Sequence, residues 1–232
     1  MILQSLTVIK LILMDVDGTL TDSRRAISTK AIEAMRMAQD NGLKVSLVSG
    51  NVIPVMYSLR VFIGLEAPVF GENGGVMIDD TGVRSFFGIE KPRKLLERLL
   101  EEGLATDLIT NQWRYCSMGY GPTGKDNARI RKMAQDSGVE ITNSGFSWHI
   151  LNPGQNKGFA LKWLMDHYSI RENGAMVIGD NFNDLPMFMD KVVKGAPANA
   201  EKELREISDI VSEIPYGEGT ADLILRVLSD KI

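Results

Sequence analysis

Short apolar segments alternate with amphipathic ones at both ends of this chain, and that alternation limits the folds available to it. An apolar run at 8–14 is followed by helical spacing after Ser28 and by a second apolar run at 44–48. Towards the other end, a helical segment at 157–168 precedes an apolar run at 175–178. Strands that alternate with helices predict right-handed crossovers and a parallel sheet. We therefore expect an α/β fold built on a parallel sheet.

The rhythm changes between residues 85 and 152. Two helical patterns occur there, together with segments rich in aromatic and β-branched residues, which are typical of strands. Two helices and several strands over that length predict a small α+β domain inserted into the α/β domain with the parallel sheet, which we call the first domain. The first domain is then discontinuous and comprises residues 1–84 and 153–232. Within the insertion, helices are predicted at 91–103 and 126–137, and strands at 113–118 and 146–151.

Composition excludes some classes of function. The 232 residues carry a formal net charge of -4, which argues against a general nucleic-acid binder. A local basic pocket for a small anion is compatible with that charge. Cys116 is the only cysteine, so the chain has no intrachain disulfide and no cysteine-based zinc site. We interpret Cys116 as one position of an apolar strand in a protein of the reducing cytoplasm.

The N-terminal segment has some features of a signal peptide and lacks others. Residues 1–14 are apolar, but Lys10 interrupts them and no small-residue cleavage site follows. No apolar stretch reaches the length of a membrane span. We therefore expect this segment to contribute a core strand, and we expect no membrane partner.

Two carboxylates follow the first apolar run, in the sequence Asp15-Val16-Asp17-Gly18-Thr19. Because side chains alternate along a strand, Asp15 and Asp17 leave the same face. Like charges so close together are costly unless a cation or a shared proton relieves them. An ordinary Asp-Gly turn would produce the same residues, so the pair alone leaves both interpretations open.

Further polar residues follow the other predicted strands. Ser49 and the flexible backbone of Gly50 come after the second apolar run, and Asp180 comes after the run at the C-terminal end. Asp184 shares a face with Asp180 if that segment is helical. Lys157 would open a helix, where its ammonium and the helix dipole both favour an anion. In open α/β sheets, ligands bind at the carboxyl ends of the strands.

Each of these features has a plain structural alternative. Ser49 could belong to a simple turn, Lys157 could be a surface lysine, and the pair of Asp180 and Asp184 could be a solvated helix start. As a set, four carboxylates, one lysine and one hydroxyl at strand ends are hard to explain as surface accidents. Clustered carboxylates imply a hard, oxygen-seeking cation, and Mg²⁺ with phosphate is the usual combination.

Four motifs stand in a fixed order along the chain: Asp15-x-Asp17-Gly18-Thr19, Ser49, Lys157 and Gly179-Asp180-x-x-Asn183-Asp184. In this order they resemble the haloacid dehalogenase (HAD) superfamily of phosphotransferases. The insertion is similar to the α/β cap of the sugar-phosphatase-like branch, so the resemblance implies a Rossmann-like core with an inserted cap. Within that branch, the chain resembles archaeal phosphoglycolate phosphatases in its length and in the segments 71–75, 144–146 with 149–150, and 216–219.

The resemblance implies Mg²⁺-dependent hydrolysis of a small phosphomonoester through an aspartyl-phosphate, with 2-phosphoglycolate as the substrate. Asp15 would attack phosphorus, and Asp17 would protonate the leaving alkoxide and later activate water. The implied ligands of Mg²⁺ are Asp15, the backbone carbonyl of Asp17, Asp180 and Asp184. The implied phosphate-binding residues are Ser49, Gly50, Lys157 and Asn183. Asn51 departs from the pattern, because Arg is frequent there among relatives.

The cap is expected to exclude water and to recognise the leaving group. Arg114, in a predicted cap strand, could pair with a substrate carboxylate, although a solvated strand charge is an equal alternative. We interpret His149 as structural.

Three functions stay open at this point. The first is a phosphatase for 2-phosphoglycolate or, more broadly, for sugar phosphates. The second is a phosphomutase-like phosphotransferase, and the third is a non-catalytic protein that binds a phosphorylated metabolite. In each case the partner is a small phosphorylated metabolite, and the protein is expected to be a monomer or a homodimer.

Overall fold

The computed structural model describes residues 9–124, 126–143 and 147–229. The strands are β1 (Leu11–Met14), β2 (Lys44–Leu47), β3 (Val69–Gly71), β4 (Val76–Asp79), β5 (Gly82–Ser85), β6 (Ala105–Asp107), β7 (Met118–Pro122), β8 (Glu140–Asn143), β9 (Trp148–Leu151), β10 (Ala175–Ile178), β11 (Val193–Ala196) and β12 (Ile210–Val211). The α-helices are α1 (Thr29–Asp40), α2 (Ile53–Ile63), α3 (Glu90–Glu101), α4 (Asn127–Ser137), α5 (Lys157–Tyr168), α6 (Lys202–Ile207) and α7 (Tyr216–Leu228). Short 3₁₀ helices occupy Glu72–Gly74, Ile109–Trp113, Glu172–Gly174 and Phe182–Met187.

A five-stranded parallel sheet with the order β12-β11-β10-β1-β2 confirms the α/β prediction. All four residues of β1 are buried, as expected for a strand covered on both faces. Ile12 packs in a cluster with residues of α1 and α7, whereas Leu13 packs in a second cluster with residues of α5. The two faces of the sheet are therefore covered by separate apolar clusters.

A smaller antiparallel sheet extends this arrangement. It has the order β3-β4-β5, and a parallel bridge between Val48 and Phe70 connects it to the end of β2. The connection brings the loop after β3 against the residues that follow β2: the N–H of Asn73 donates to the carbonyl of Ser49 at 2.9 Å. This loop therefore lies at the edge of the parallel sheet where the strands end and the polar motifs follow them.

The inserted region forms a second layer of its own. Its four strands make an antiparallel sheet with the order β6-β7-β9-β8, and α3 and α4 pack on that sheet through a separate apolar cluster. All these elements fall within 85–152, which we call the cap segment, and the remaining residues we call the core. The boundaries of the two domains stay a prediction.

The strand predicted at 113–118 is wrong over most of its length, since β7 begins only at the last of these residues. Arg114 and Cys116 therefore lie in a loop and not in a strand. The physical reason is that the N–H groups of residues 115–117 donate to the carboxylate of Glu72 and not to a neighbouring strand. A distant side chain has replaced the ladder of backbone hydrogen bonds.

Other predictions agree with the structure, and some fall outside it. The helix at 157–168 and the strand at 175–178 have the predicted bounds. Residues 1–8 and 144–146 lie outside the described residues, including part of the predicted first strand and of the segment 144–150. Among the residues that the structure describes, none of the helices has the length and apolar character needed to cross a bilayer.

Candidate active site

The polar motifs meet at one edge of the parallel sheet. Asp15 directly follows β1, and β1 lies between β2 and β10 in the sheet. The ends of the two neighbouring strands therefore place Ser49 on one side of Asp15 and Asp180 on the other. Asp15 and Ser49 are both buried. The sequence prediction that these groups lie together is consistent with this topology.

Lys157 is a buried residue, so the surface-lysine alternative is wrong. It is the first residue of α5, whose start is capped by the side chain of Asn156, which accepts from the N–H of Phe159. The ammonium nitrogen of Lys157 lies 2.5 Å from Oδ1 of Asp15 and 2.5 Å from Oδ1 of Asp184. Only 1% of its surface is exposed. A buried ammonium is stable here because two carboxylates pair with it.

Asp184 is held by backbone donors as well as by Lys157. Its Oδ2 accepts from the N–H of Asp180 at 2.9 Å and from that of Asn181 at 3.0 Å. This capping box starts the 3₁₀ helix Phe182–Met187, and Asp180 precedes that helix. The predicted helical face shared by Asp180 and Asp184 is therefore absent, and the cap brings the two residues together.

The electrostatics of this cluster are dominated by burial. Burial raises the pKa of Asp15; the charge of Lys157 lowers it, whereas those of Asp184 and Asp180 add to the rise. Burial likewise raises the pKa of Asp180 to about 7, with a further contribution from Asp184. For Lys157, burial alone would lower the pKa, but Asp15 and Asp184 raise it overall. The site is short of positive charge.

The residues fit a divalent cation. One carboxylate oxygen each from Asp15, Asp180 and Asp184 lies within 4.8 Å of the others. Three carboxylates and one ammonium leave an excess of two negative charges when all are ionised, and oxygen ligands suit hard divalent cations. Gly18 leaves space beside them, because a β-carbon there would overlap the carboxylate of Asp180.

Asp17 has its own set of partners outside this cluster. Its Oδ1 accepts from Nε of Arg25 at 3.0 Å and lies 2.8 Å from Nη2 of the same residue. Its Oδ2 accepts from Nδ2 of Asn51 at 2.7 Å, and that amide also donates to Oγ of Ser49 at 2.9 Å. Asp15 and Asp17 thus face different environments: Asp15 pairs with a buried ammonium, and Asp17 with donors at the cavity wall.

A cavity of about 260 Å³ lies between these residues and the cap segment. Its wall includes five predicted site residues from the core and, among its residues from the cap segment, one arginine and one histidine. From the core they are Asp15, Asp17, Ser49, Gly50 and Asn183, and from the cap segment Arg114 and His149. Lys157, Asp180 and Asp184 do not line the cavity, but Lys157 contacts Asp15 and Asp184 accepts from the N–H of Asn181, and both of these partners line it.

Arg114 brings a buried cation to the cavity wall. Its Nη1 donates to Oγ of Ser117 at 2.9 Å, and its Nη2 points to the carbonyl of Gly50 at 3.4 Å. Its Nε has no hydrogen-bond partner among the described residues. Burial lowers the pKa of Arg114 and the charge of Glu72 opposes that effect, but a guanidinium stays protonated in proteins. Because Arg114 is buried, the alternative of a solvated charge is wrong.

His149 lies beside Arg114 as a neutral group. Burial lowers its pKa to about 3, and the charges of Arg114 and Lys157 add to the shift. Its Nε2 is 3.0 Å from Oγ of Ser147. A neutral imidazole at the cavity wall offers hydrogen bonds but no charge.

Sequence reasoning assigned no role to three residues of this region, although it noted Asn51 as a departure from the family pattern. Arg25 and Asn51 line the cavity and bind Asp17, and Glu72 binds the loop that carries Arg114. Glu72 stands in the glycine-rich segment 71–75, between two apolar strands. A single acidic residue in that position is a signal that could have marked it as a candidate. No spacing in the sequence marks Arg25.

Comparisons with known proteins agree with this geometry. A family model described as haloacid dehalogenase-like hydrolase matches residues 12–112 and 121–224. The phosphoglycolate phosphatase of Thermoplasma volcanium is 47% identical over 211 residues, which cover 90% of this chain and 94% of the relative.

Solved structures have the same architecture. The crystal structure of Thermoplasma acidophilum 0175 superposes with a TM-score of 0.91 at 45% sequence identity, covering 95% of this chain and 98% of that one. A haloacid dehalogenase-like hydrolase from Bacteroides thetaiotaomicron superposes with a TM-score of 0.80 at 19% identity, covering 94% and 99%. The second likeness concerns the fold alone.

Proposed function

The chain belongs to the haloacid dehalogenase-like hydrolase family and is a phosphatase, and from this premise we propose that it hydrolyses 2-phosphoglycolate to glycolate and phosphate. Relatives that bear the name phosphoglycolate phosphatase support this substrate. The observation that carries the proposal is one cavity with Asp15 and Asp17 in its wall on the core side and the buried guanidinium of Arg114 on the cap side. A small substrate with a phosphate and a carboxylate matches that pairing.

Asp15 is the nucleophile. One of its carboxylate oxygens forms a bond to phosphorus as the bond between phosphorus and the ester oxygen breaks, which gives an aspartyl-phosphate and a glycolate alkoxide. Asp17 supplies the proton that this alkoxide takes up. It then accepts a proton from the water that attacks phosphorus as the bond between phosphorus and the Asp15 oxygen breaks, so phosphate is released and both side chains return to their starting states. Arg25 and Asn51 hold Asp17 in place for both transfers.

Mg²⁺ is the proposed divalent cation. The carboxylates of Asp15, Asp180 and Asp184 and the backbone carbonyl of Asp17 would hold it, consistent with the oxygen ligands that Mg²⁺ prefers. When bound, it supplies positive charge that offsets the carboxylates and the phosphate oxygens.

The phosphoryl oxygens also need donors from the chain. We assign Ser49 Oγ, the Gly50 N–H and the Asn183 amide to this role, since all three residues line the cavity. We assign Lys157 to the phosphoryl oxygens as well, because its ammonium contacts Asp15 at 2.5 Å, orients that carboxylate and places positive charge beside the site of phosphoryl transfer. Arg114 binds the carboxylate of the leaving group, and the cap segment excludes water around it.

Phosphate release from three substrates tests the proposal: 2-phosphoglycolate, 2-hydroxyethyl phosphate and glucose 6-phosphate, each with Mg²⁺ and with a chelator. We expect kcat/KM for 2-phosphoglycolate to exceed that for 2-hydroxyethyl phosphate by about 10–100-fold, because only the former has a carboxylate for Arg114. The chelator should abolish release.

Other results would support other functions. Equal rates on all three substrates would indicate a broad sugar-phosphate phosphatase. Transfer of the phosphoryl group to a sugar, without release of phosphate, would indicate a phosphotransferase. Stabilisation by these compounds without any turnover would indicate a binding protein.

A further inference from the structure

The carboxylate of Glu72 binds the cap segment from the core. It is fully buried and accepts from three successive backbone N–H groups, at 2.7 Å from Tyr115, 3.1 Å from Cys116 and 2.8 Å from Ser117. It also accepts from Oγ of Ser117 at 2.8 Å. Successive N–H groups that converge on one point form a concave anion site, and here the anion is a side chain of the same protein.

The backbone conformation of Glu72 is one that tertiary contacts, and not its local preference, must hold. Its φ is +52°, a left-handed conformation that residues with a side chain rarely adopt. In this loop the carbonyl of Glu72 is also bound, because Nε2 of Gln155 donates to it at 2.8 Å. Contacts with both the cap segment and the core therefore hold the residue in a conformation that its own preferences disfavour.

Ser117 connects Glu72 to Arg114. Because the hydroxyl of Ser117 donates its only hydrogen to Glu72, the same oxygen is left to accept from Nη1 of Arg114, at 2.9 Å. Ser117 thereby holds Arg114 through Nη1, whereas Nε of the same guanidinium has no hydrogen-bond partner among the described residues. The negative charge of Glu72 also compensates the buried guanidinium in part.

We propose that Glu72 is a positioning residue which, through the hydroxyl of Ser117, fixes the guanidinium of Arg114 toward the cavity and so sets the preference for a phosphomonoester whose leaving group bears a carboxylate. This inference rests on the proposed function, because it takes Arg114 as the partner of that carboxylate. Glutamine at position 72 keeps only one acceptor oxygen, so it leaves at least one of the three backbone donors without an acceptor and holds the loop with Arg114 less firmly.

Ser117→Ala separates positioning from general support of the loop. The three N–H bonds to Glu72 do not involve the hydroxyl, and Nδ2 of Asn152 still donates to the carbonyl of Cys116 at 2.9 Å. The variant should therefore keep the loop in place and remove only the two hydrogen bonds of the hydroxyl, through which Glu72 is linked to Arg114. Ser58→Ala is the matched control, since Ser58 is exposed on α2 and its hydroxyl donates to the carbonyl of Pro54.

Steady-state kinetics with 2-phosphoglycolate and 2-hydroxyethyl phosphate then measure the effect. For Ser117→Ala we expect KM for 2-phosphoglycolate to rise about tenfold with kcat within about twofold, because the lost interaction serves binding in the ground state and the transition state alike. We expect kcat/KM for 2-hydroxyethyl phosphate to stay within about twofold of wild type. Glu72→Gln should show the same selective loss to a greater extent.

The outcomes that overturn the inference are distinct. A Ser117→Ala enzyme with wild-type KM for 2-phosphoglycolate would overturn it, and so would equal losses on both substrates, which indicate mere structural support. If thermal unfolding shows that Glu72→Gln does not fold, the Ser117→Ala result decides alone. A wild-type enzyme that treats both substrates equally would instead overturn the proposed function, and this inference with it.

Discussion

The ammonium nitrogen of Lys157 lies 2.5 Å from a carboxylate oxygen of Asp15, although the two residues are 142 positions apart in the chain. Their contact joins the first strand of the core to the first helix after the cap segment, so it forms only when both parts of the core have folded together. Lys157 also bridges Asp15 to Asp184, and the three side chains are buried as one unit.

Lys157→Met keeps the length and apolar stem of the side chain and removes its charge. We expect transition-state stabilisation to fall by about 2–4 kcal/mol, the loss typical of a preorganised donor at developing negative charge. Lys162→Met is the matched control, because Lys162 is exposed on the same helix. The measurement is kcat/KM for 2-phosphoglycolate, and a rate near wild type in Lys157→Met would contradict the role given to this residue.

Asp15→Asn should fold and have no phosphatase activity, because an amide does not form the phosphoryl bond that the carboxylate forms. The change removes a charge that burial already disfavours, as the raised pKa of Asp15 shows. We therefore expect a thermal unfolding midpoint close to that of wild type. Asp40→Asn, at an exposed position on α1, is the control for the chemical change. Turnover by pure Asp15→Asn above the background of a blank preparation would exclude Asp15 as the nucleophile.

Gly18→Ala tests the space beside Asp180. Gly18 has a φ of +87°, and an added β-carbon would overlap the carboxylate of Asp180. Gly42 has a φ of +84° with nothing within 4 Å of such a β-carbon, so Gly42→Ala introduces the backbone strain without the overlap. We expect Gly42→Ala to lose about 1–2 kcal/mol of stability from backbone strain and Gly18→Ala to lose more because of the overlap, but only Gly18→Ala to lose activity. Equal activity in the two variants would show that the space beside Asp180 is not needed.

Much of this site follows from local patterns in the sequence. Asp15, Ser49 and Asp180 each come directly after an apolar run, and parallel strands end at the same edge of a sheet, so these positions could be placed together without a structure. The bounds of α5 could be predicted as well, because Asn156 caps the helix and the apolar spacing continues to Tyr168.

The loop at 114–117 shows what local patterns do not contain. Its aromatic and apolar residues are typical of a strand, yet its N–H groups bind Glu72, which lies 43 positions before Tyr115. No local pattern of residues predicts a hydrogen-bond partner so far away in the sequence. The same holds for Asp17, whose partners Arg25 and Asn51 belong to two different loops.

A divalent cation should stabilise the folded protein, because it relieves the repulsion among Asp15, Asp180 and Asp184. At a concentration of about 100 times its Kd, Mg²⁺ should raise the free energy of unfolding by about 2.7 kcal/mol. Asp180→Asn should lose most of this increase, whereas Asp209→Asn, at an exposed position after α6, should retain it. Thermal unfolding with Mg²⁺ and with a chelator is the measurement. No shift in wild type would contradict the metal site itself.

Between pH 7 and pH 5, His149 should lower the free energy of unfolding, whereas Asp180, whose pKa burial raises to about 7, acts in the opposite direction. Burial, aided by the charges of Arg114 and Lys157, lowers the pKa of His149 to about 3, whereas the pKa of an unfolded histidine is about 6.5. As the pH falls below that value, the unfolded chain takes up a proton that the folded chain does not accept until about pH 3. This difference should remove about 2 kcal/mol from the free energy of unfolding between pH 7 and pH 5.

The variant His149→Gln isolates that contribution. Glutamine does not titrate in this range and still offers a hydrogen bond to Ser147, so the variant should lose about 2 kcal/mol less than wild type between pH 7 and pH 5. Urea unfolding at three pH values across this window, with Mg²⁺ removed by a chelator, measures the difference. His167→Gln is the control, since His167 is the other histidine of the chain and is exposed on α5. If wild type and His149→Gln show the same pH dependence, His149 takes up a proton in the folded state, and the neutral imidazole assigned to the cavity wall is wrong.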